Sequence, residues 1–296
     1  MHEGQLEISD DLVHDLVVYQ FPRLSDLQLH RVPSDGTVHA IYRLGSELAV
    51  RLPLLEEFSP ALIRETQLLE LLAPQLPLPI PELVGLGEPT VRYPASWSIV
   101  TWIEGRTLAE HTDFDLAGVA ASLGEFVAAM RSARGPGEIS PNQRGRPLES
   151  RREGTIQAIA EIADEFDSVA LHQIWDAACS AEKWDEVRTW IHGDLLPGNL
   201  ITVADELSAV IDFGECSIGN PTHDLIAGWW VFTASTRSIF KDAAGADDDA
   251  WSRARGMALS GAAGALAYYR ETNPGFSAVA RRTLREVVAD ARGLAL

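Results

Sequence analysis

The stretch that decides the fold is His192-Gly193-Asp194-Leu195-Leu196-Pro197-Gly198-Asn199, and Asp212-Phe213-Gly214 stands thirteen residues beyond Asn199. Short β-like runs flank both motifs, at Trp190-Ile191, Leu200 to Val203 and Leu207 to Ile211. The pattern therefore predicts a bend between strands, followed by a strand that delivers Asp212 to the same place.

The residue types in these motifs suit phosphoryl transfer. That reaction needs a carboxylate beside an incoming hydroxyl and oxygen ligands that hold Mg²⁺ against nucleotide phosphates. Asp194 is placed to accept the proton, while Asn199 and Asp212 are placed to bind the metal ion. The alternative is a pair of ordinary turns, because Gly, Asp and Asn favour turns. Order, spacing and flanking strands together favour the functional interpretation.

The two motifs match, in order and spacing, the catalytic loop and the DFG element of protein kinases, with Gly193 where those enzymes carry Arg. Together with Gly219-Asn220-Pro221-Thr222-His223-Asp224-Leu225, they resemble the aminoglycoside phosphotransferase family, which includes macrolide kinases. The resemblance extends over most of the chain. It implies an α+β, protein-kinase-like bilobal fold with a small β-rich N-terminal lobe and a larger, mostly helical C-terminal lobe.

The same resemblance implies an activity. The γ-phosphoryl group of ATP or GTP would pass, with Mg²⁺, to a hydroxyl of an aminoglycoside-like antibiotic or a similar compound, as in antibiotic resistance. Asp194 would be the catalytic base, and Asn199 and Asp212 the Mg²⁺ ligands. Three alternatives stay open: a macrolide kinase, an endogenous-metabolite kinase, and a kinase-fold protein that binds its ligand without turnover. A metallohydrolase is disfavoured because the chain has no HxH, HExxH or HxxEH spacing.

The nucleotide-binding residues are predicted in the first hundred residues. Arg51 occupies the third-strand position where many kinases carry Lys, and Glu65 on the next helix is placed to hold its guanidinium. The loop Ser34-Asp35-Gly36-Thr37 is the candidate phosphate cover, with Ser34, Gly36 and Thr37 as nucleotide contacts, although a plain hairpin turn fits it equally. Thr101, Trp102 and Ile103 form the candidate hinge that would pair with a purine, a role that only the resemblance supports.

The sequence pattern changes from mainly strand-like to mainly helical near residue 103. This change predicts a nucleotide-binding lobe over residues 1–103 and a catalytic and substrate-binding lobe over residues 104–296. The first part predicts a helix over 9–20, an antiparallel meander over 27–32, 38–44 and 47–52, a helix over 60–72, and strands over 83–86 and 96–103. The second part predicts helices over 114–131, 155–165, 168–183, 221–235, 248–272 and 276–292, and a loop over 132–152.

Composition restricts the partners. A formal net charge of −19 repels phosphate backbones, so nucleic acid is not expected as a partner. No apolar run approaches the roughly 20 residues that span a bilayer, and the first residues do not resemble a signal peptide. Cys179 and Cys216 are too few for a disulfide framework. We therefore expect a cytoplasmic protein whose partners are a nucleoside triphosphate and a small hydroxylated substrate.

Two further features leave alternatives open. Asp224 lies near the start of a helix, where capping that helix or steadying the catalytic loop is favoured over a direct part in catalysis. Asn220 stands where the family usually has Asp. Several acidic residues either line a pocket for a polyamine-like antibiotic or form a solvated helix face, and the second is commoner on helices. They are Asp113, Asp115, Glu161, Asp164, Glu165 and Asp167.

Overall fold

The computed structural model describes residues 5–33, 38–111, 116–135, 142 and 144–293. Its chain forms two compact units. The first contains the described residues up to Pro74 together with Pro79–Gly105 and Ala209–Gly214, and the second contains Gln75–Leu78, Arg106–Ser208 and the residues from Glu215 onwards. The first unit is rich in β-structure and the second is larger and mostly helical, which confirms the predicted α+β class. The assignment of a binding role to each part stays a prediction.

A five-stranded antiparallel sheet forms the first unit. Its strands are β1 (Leu29–Val32), β2 (His39–Leu44), β3 (Leu48–Pro53), β4 (Leu83–Gly87) and β5 (Trp97–Thr101), and their order is β1-β2-β3-β5-β4. Burial alternates along β2, so one face of that strand lies in the core while the other is only partly covered. The predicted meander is confirmed to within two residues at each strand end.

Two helices accompany this sheet. Helix α1 (Asp10–Gln20) begins where Ser9 Oγ accepts a hydrogen bond from Leu12 N at 3.2 Å, and its buried leucines and valines join the sheet core around Tyr42 and Trp97. Helix α2 (Ser59–Leu72) has Pro60 in its first turn and carries Glu65 with only 2% of its surface exposed. A glutamate so deeply buried requires a partner.

The second unit consists mainly of helices. They are α3 (Ala117–Ser132), α4 (Arg152–Glu161), α5 (Ser168–Ser180), α6 (Ala227–Trp230), α7 (Ala234–Ala243), α8 (Asp248–Tyr269) and α9 (Pro274–Ala291). Among the described residues, no helix is both long enough and apolar enough to cross a membrane.

The helix predicted over 221–235 is wrong in its extent. A 3₁₀ turn over Pro221–Ile226 leads into the short α6, and α7 starts separately at Ala234. The interruption is stable because the Arg282 guanidinium donates hydrogen bonds to the carbonyl oxygens of Trp230 and Val231, which a continuing helix would have used itself. Helix α7 escaped prediction because its sequence, ASTRSIFKDA, is largely polar.

Short strands surround the two motifs. Strand β7 (Thr189–Ile191) pairs antiparallel with β10 (Ser217–Gly219), and a second small sheet has the order β6-β8-β9, from Arg106–Thr107, Leu200–Val203 and Glu206–Val210. Sequence patterns predicted β7, β8 and β9 but missed β6 and β10, which are only two and three residues long. Strand β7 leads directly into His192, and β8 begins immediately after Asn199.

Candidate active site

The catalytic-loop motif lies in the second unit, and its first residue is fully buried. His192 is 0% exposed, and its Nδ1 accepts a hydrogen bond of 3.2 Å from the backbone N–H of Asp194. His192 therefore holds the loop from inside. The Asp194 side chain remains 21% exposed, so its carboxylate reaches solvent while its backbone is fixed.

Asn199 lies against Asp194. Its Nδ2 donates to the Asp194 carbonyl oxygen at 2.8 Å and to the Asp194 Oδ2 atom at 3.0 Å. Because both neighbours are acceptors, the amide orientation is determined, and Oδ1 of Asn199 points away from Asp194. An amide oxygen in that orientation fits the role of a ligand for Mg²⁺, which prefers oxygen donors.

Asp224 fixes the turn that precedes Asp194. Its Oδ2 accepts from His192 N at 2.7 Å and its Oδ1 accepts from Gly193 N at 2.8 Å. Burial raises the pKa of Asp224 to about 6, although the two backbone hydrogen bonds oppose the rise, so the group is mainly ionised at pH 7. Asp224 therefore steadies the catalytic loop, while the Asn220 side chain caps the following 3₁₀ turn by accepting from Thr222 N at 3.0 Å.

Gly193 is required by the backbone. Its φ is +84°, and a Cβ atom there would lie 2.6 Å from the carbonyl oxygen of Glu215. This contact explains why the chain has Gly where protein kinases carry Arg. A side chain at this position would push the loop away from Glu215.

A buried imidazole holds the other side of Gly193. The His223 Nε2 atom lies 3.1 Å from the Gly193 carbonyl oxygen, and Nδ1 lies 3.4 Å from Nη2 of Arg151. Burial and then the charges of Arg151 and Arg144 lower the pKa of His223 well below its usual value, so the ring is neutral. Since Arg151 can only donate, Nδ1 is the acceptor and Nε2–H donates to Gly193.

Sequence reasoning missed Arg144, which lies in the segment 132–152 predicted only as a loop. Its Nη2 is 3.5 Å from Asp194 Oδ1, and its Nε is 3.9 Å from Glu215 Oε2. The neighbouring Asn142 orients the segment by accepting from the N–H groups of Arg144 and Gly145 at 3.0 and 3.2 Å. The sequence feature that could have pointed to Arg144 is the concentration of arginines between residues 144 and 152.

The DFG motif lies in the first unit together with Arg51 and Glu65. Arg51 Nη1 is 2.7 Å from Glu65 Oε1, and the same oxygen accepts from Phe213 N at 3.1 Å. Arg51 Nη2 is 3.9 Å from Asp212 Oδ1, and the Asp212 side chain is 50% exposed. Glu65 thus joins strand β3 to the DFG turn, and the exposed carboxylate of Asp212 fits a magnesium ligand.

Arg51 keeps its charge despite being buried. Burial alone would lower its pKa, but the ion pair with Glu65 and the charge of Asp212 outweigh burial and raise it. Arg51 is 9% exposed and lies on β3, between β2 and β5 in the sheet, so it is not a surface arginine on a strand edge. His39 is close enough for the charge of Arg51 to act on it, and burial followed by that charge lowers the pKa of His39 to about 3.

Two of the three candidate hinge residues already use their backbone N–H groups. The N–H of Thr101 donates to the Glu82 carbonyl at 2.9 Å, and that of Trp102 donates to the Glu47 carbonyl at 2.7 Å. A purine could use those two N–H groups only by breaking bonds inside this unit, which leaves Ile103 as the better donor of the three. Ser34, Gly36 and Thr37 lie outside the described residues.

Comparison with known proteins defines the class. A sequence model of the phosphotransferase enzyme family, APH, matches residues 30–257, so the chain belongs to this family of kinase-like phosphotransferases. Among curated proteins, no sequence matches significantly.

Solved structures with the same fold share little sequence with the chain. The GDP complex of aminoglycoside 2'-phosphotransferase-IIIa has a TM-score of 0.69 and 18% identity, covering 96% of this chain and 100% of the other. A complex of the same enzyme type with GDP and kanamycin has a TM-score of 0.69 and 18% identity over 94% and 99% of the two chains. The macrolide 2'-phosphotransferase MphH from Brachybacterium faecium, an apoenzyme, has a TM-score of 0.64 and 19% identity over 93% and 97%. These similarities confirm the kinase-like fold.

Proposed function

We propose that this protein is a small-molecule kinase that transfers the γ-phosphoryl group of ATP or GTP to a hydroxyl group of its acceptor. The observation that carries the proposal is the Asp194–Asn199 pair at 3.0 Å on a loop that Asp224 clamps through two backbone N–H groups. Membership of the phosphotransferase family supports the reaction type. We also propose a cytoplasmic location, from the cysteine usage of the sequence.

In the proposed reaction, the oxygen of the acceptor hydroxyl bonds to the γ-phosphorus while Asp194 accepts the hydroxyl proton. At the same time, the bond between the γ-phosphorus and the β,γ-bridging oxygen breaks, and the nucleoside diphosphate leaves. The clamp by Asp224 and His192 keeps the carboxylate of Asp194 in place, so little reorganisation is needed during the transfer. Arg51 is proposed to bind the nucleotide phosphates, because its buried guanidinium is fixed by Glu65. Ile103 is the proposed purine contact.

Asn199 and Asp212 are the proposed holders of Mg²⁺. The Asn199 amide oxygen is oriented away from Asp194, and the Asp212 carboxylate is half exposed, so both fit a hard cation. When bound, Mg²⁺ would neutralise charge on the phosphate oxygens.

The names of the similar structures make aminoglycosides and macrolides the first acceptors to test, and metabolite acceptors remain the alternative. A kinase-fold protein without turnover is the competing hypothesis. Nucleotide consumption separates these cases, because Asp194→Ala should lower kcat by about 10² to 10⁴-fold while nucleotide with Mg²⁺ still raises the Tm of the variant. Near-native turnover by Asp194→Ala, or no consumption by the wild type with any acceptor or with water, would refute the proposal.

A further inference from the structure

Among the acidic residues that could have lined a polycation pocket, Asp164, Glu165 and Asp167 are engaged elsewhere, whereas Asp113 and Asp115 lie outside the described residues. Asp164 accepts two hydrogen bonds from Arg270, at 3.1 and 2.9 Å, and Glu165 accepts two from Arg281, at 2.5 and 3.0 Å. Asp167 caps α5 by accepting from Val169 N at 3.0 Å and Ala170 N at 3.3 Å. Arginine partners neutralise Asp164 and Glu165, and capping uses Asp167, so these three carboxylates offer little free negative charge to a substrate ammonium group.

A guanidinium group lies next to Asp194, between its carboxylate and that of Glu215. The Arg144 guanidinium lies 3.5 Å from the carboxylate that would receive the acceptor's proton, and 41% of its side chain is exposed. An acceptor bound with its hydroxyl at Asp194 would therefore have a guanidinium among its nearest neighbours. A ligand group in direct contact with this guanidinium would be favoured if it carried anionic oxygens and disfavoured if it were an ammonium group.

The backbone of Arg144 is fixed by its surroundings. Asn142 Nδ2 donates to the Glu215 carbonyl at 2.7 Å, and Asn220 N donates to the Gly145 carbonyl at 3.0 Å. A Cβ atom at Gly219 would lie 2.5 Å from Gly145 Cα, so the two segments touch through their backbones. The segment is therefore fastened to the residues that follow the DFG motif.

Arg151 completes this support. Its Nη2 donates to the Arg144 carbonyl oxygen at 2.9 Å and also approaches His223, the ring that holds Gly193. Burial, followed by the charge of Arg144, lowers the pKa of Arg151 to about 10, which still leaves it protonated at pH 7. Arg144 and the catalytic loop are thus held by the same guanidinium, that of the half-buried Arg151.

The Arg144 side chain itself is only loosely paired. Its two carboxylate contacts, at 3.5 and 3.9 Å, are long for charge-assisted hydrogen bonds, and Glu215 Oε2 already accepts from Asn142 at 2.8 Å. Within the described part of the chain, the Arg144 guanidinium makes no other hydrogen bond. It therefore has N–H donors left for a ligand.

We infer that Arg144 is a specificity-determining residue that selects an acceptor with an anionic oxygen group, a carboxylate or a phosphate, beside the hydroxyl to be phosphorylated. This inference rests on the proposed function, since it assumes that the acceptor hydroxyl lies at Asp194. It differs from that function in naming the charge of the acceptor, and it ranks polycationic aminoglycosides below anionic hydroxyl compounds.

The test uses the full chain and hydroxyl compounds that differ in charge: the sugars glucuronate, glucose 6-phosphate, glucose and glucosamine, and the polycationic aminoglycoside kanamycin. Nucleotide consumption and ligand-induced change in Tm are measured with each. We expect the wild type to favour one of the two anionic compounds. A preference for glucuronate would indicate a carboxylate acceptor, and a preference for glucose 6-phosphate would indicate a phosphate. Arg144→Ala should reduce kcat/KM for that compound by about ten- to a hundredfold, mainly by raising KM. The fold-reduction in kcat/KM for glucose should be about ten times smaller.

Two variants make the result specific. Arg146→Ala removes the same charge from an exposed position in the same segment and should change the preference by less than about twofold. Arg144→Glu should move the preference towards glucosamine and kanamycin. The inference is overturned if wild type prefers kanamycin, if Arg144→Ala weakens all acceptors equally, or if no anionic compound gives Arg144-dependent turnover or stabilisation. Asp194-dependent nucleotide consumption with water as acceptor tests the proposed function separately.

Discussion

The backbone N–H of Gly193 donates a hydrogen bond of 2.8 Å to Oδ1 of Asp224, which is 31 residues further along the chain. The other carboxylate oxygen accepts from His192 N at 2.7 Å, so one buried side chain orients two consecutive peptide groups. Asp194 follows directly. The orientation of the proposed catalytic base is therefore determined by a residue that takes no part in the chemistry.

Replacing Asp224 tests this relationship. In Asp224→Asn the amide oxygen can still accept one N–H, but the amide nitrogen faces the other and leaves it unpaired. An unsatisfied buried donor costs about 1–3 kcal/mol of unfolding free energy, and we expect kcat to fall about ten- to a hundredfold with little change in nucleotide affinity. Urea unfolding and steady-state kinetics measure the two effects. Asp176→Asn, at an exposed position of α5, is the control, and a native kcat in Asp224→Asn would contradict the positioning role.

Replacing Glu65 should weaken both the fold and nucleotide binding, because its Oε1 contacts both Arg51 and the N–H of Phe213. Glu65→Gln leaves the buried Arg51 with only the more distant, half-exposed Asp212 as a counter-charge. Breaking a buried ion pair from one side typically costs about 3–5 kcal/mol. We expect a loss of that order in urea unfolding and a nucleotide affinity at least about tenfold weaker, measured by calorimetry. Glu70→Gln changes an exposed residue of the same helix and should alter neither quantity. Equal stability of the two variants would refute the argument.

The parts of the fold that follow local patterns were predictable. Alternating apolar residues gave the meander that contains Arg51, and the spacing from Asp194 to Asp212 gave the family. The parts that depend on distant contacts were not. Helix α6 ends at Trp230 because Arg282, 52 residues away, binds its carbonyl oxygen. Arg144 reaches Asp194 across 50 residues of sequence, and no local pattern marks that contact.

His39 predicts a pH effect on stability, because the Nε2 atom of this half-buried imidazole is itself buried. Burial first, and then the charge of Arg51, lower the pKa of His39 to about 3, whereas the unfolded chain has a pKa near 6.5. Between those values the unfolded state binds more protons, so this histidine's contribution is complete above about pH 6.5 and is lost as the pH falls towards 3.

His39→Asn removes that titration and keeps a polar side chain at the position. Between pH 7 and pH 5, the unfolding free energy of wild type should fall by about 1–2 kcal/mol more than that of the variant. This comparison does not depend on the difference in stability between the two proteins at pH 7. Urea unfolding at both pH values measures this change. His14→Asn, on the exposed side of α1, serves as control and should show no comparable difference from wild type. Parallel pH profiles for wild type and His39→Asn would contradict the prediction.

Asp212 supports the last prediction, which concerns magnesium. Its φ is +66°, a conformation that Asn tolerates better than most side chains, so Asp212→Asn removes the charge without straining the backbone. If Asp212 binds Mg²⁺, the variant should need at least about tenfold more Mg²⁺ for half-maximal nucleotide consumption, and EDTA should abolish consumption in the wild type. Asp205→Asn is a matched control, because Asp205 also has a positive φ, +65°, and lies in the exposed turn between β8 and β9. An unchanged Mg²⁺ requirement in Asp212→Asn, with the control behaving as wild type, would remove Asp212 from the proposed metal site and leave Asn199 without its partner ligand.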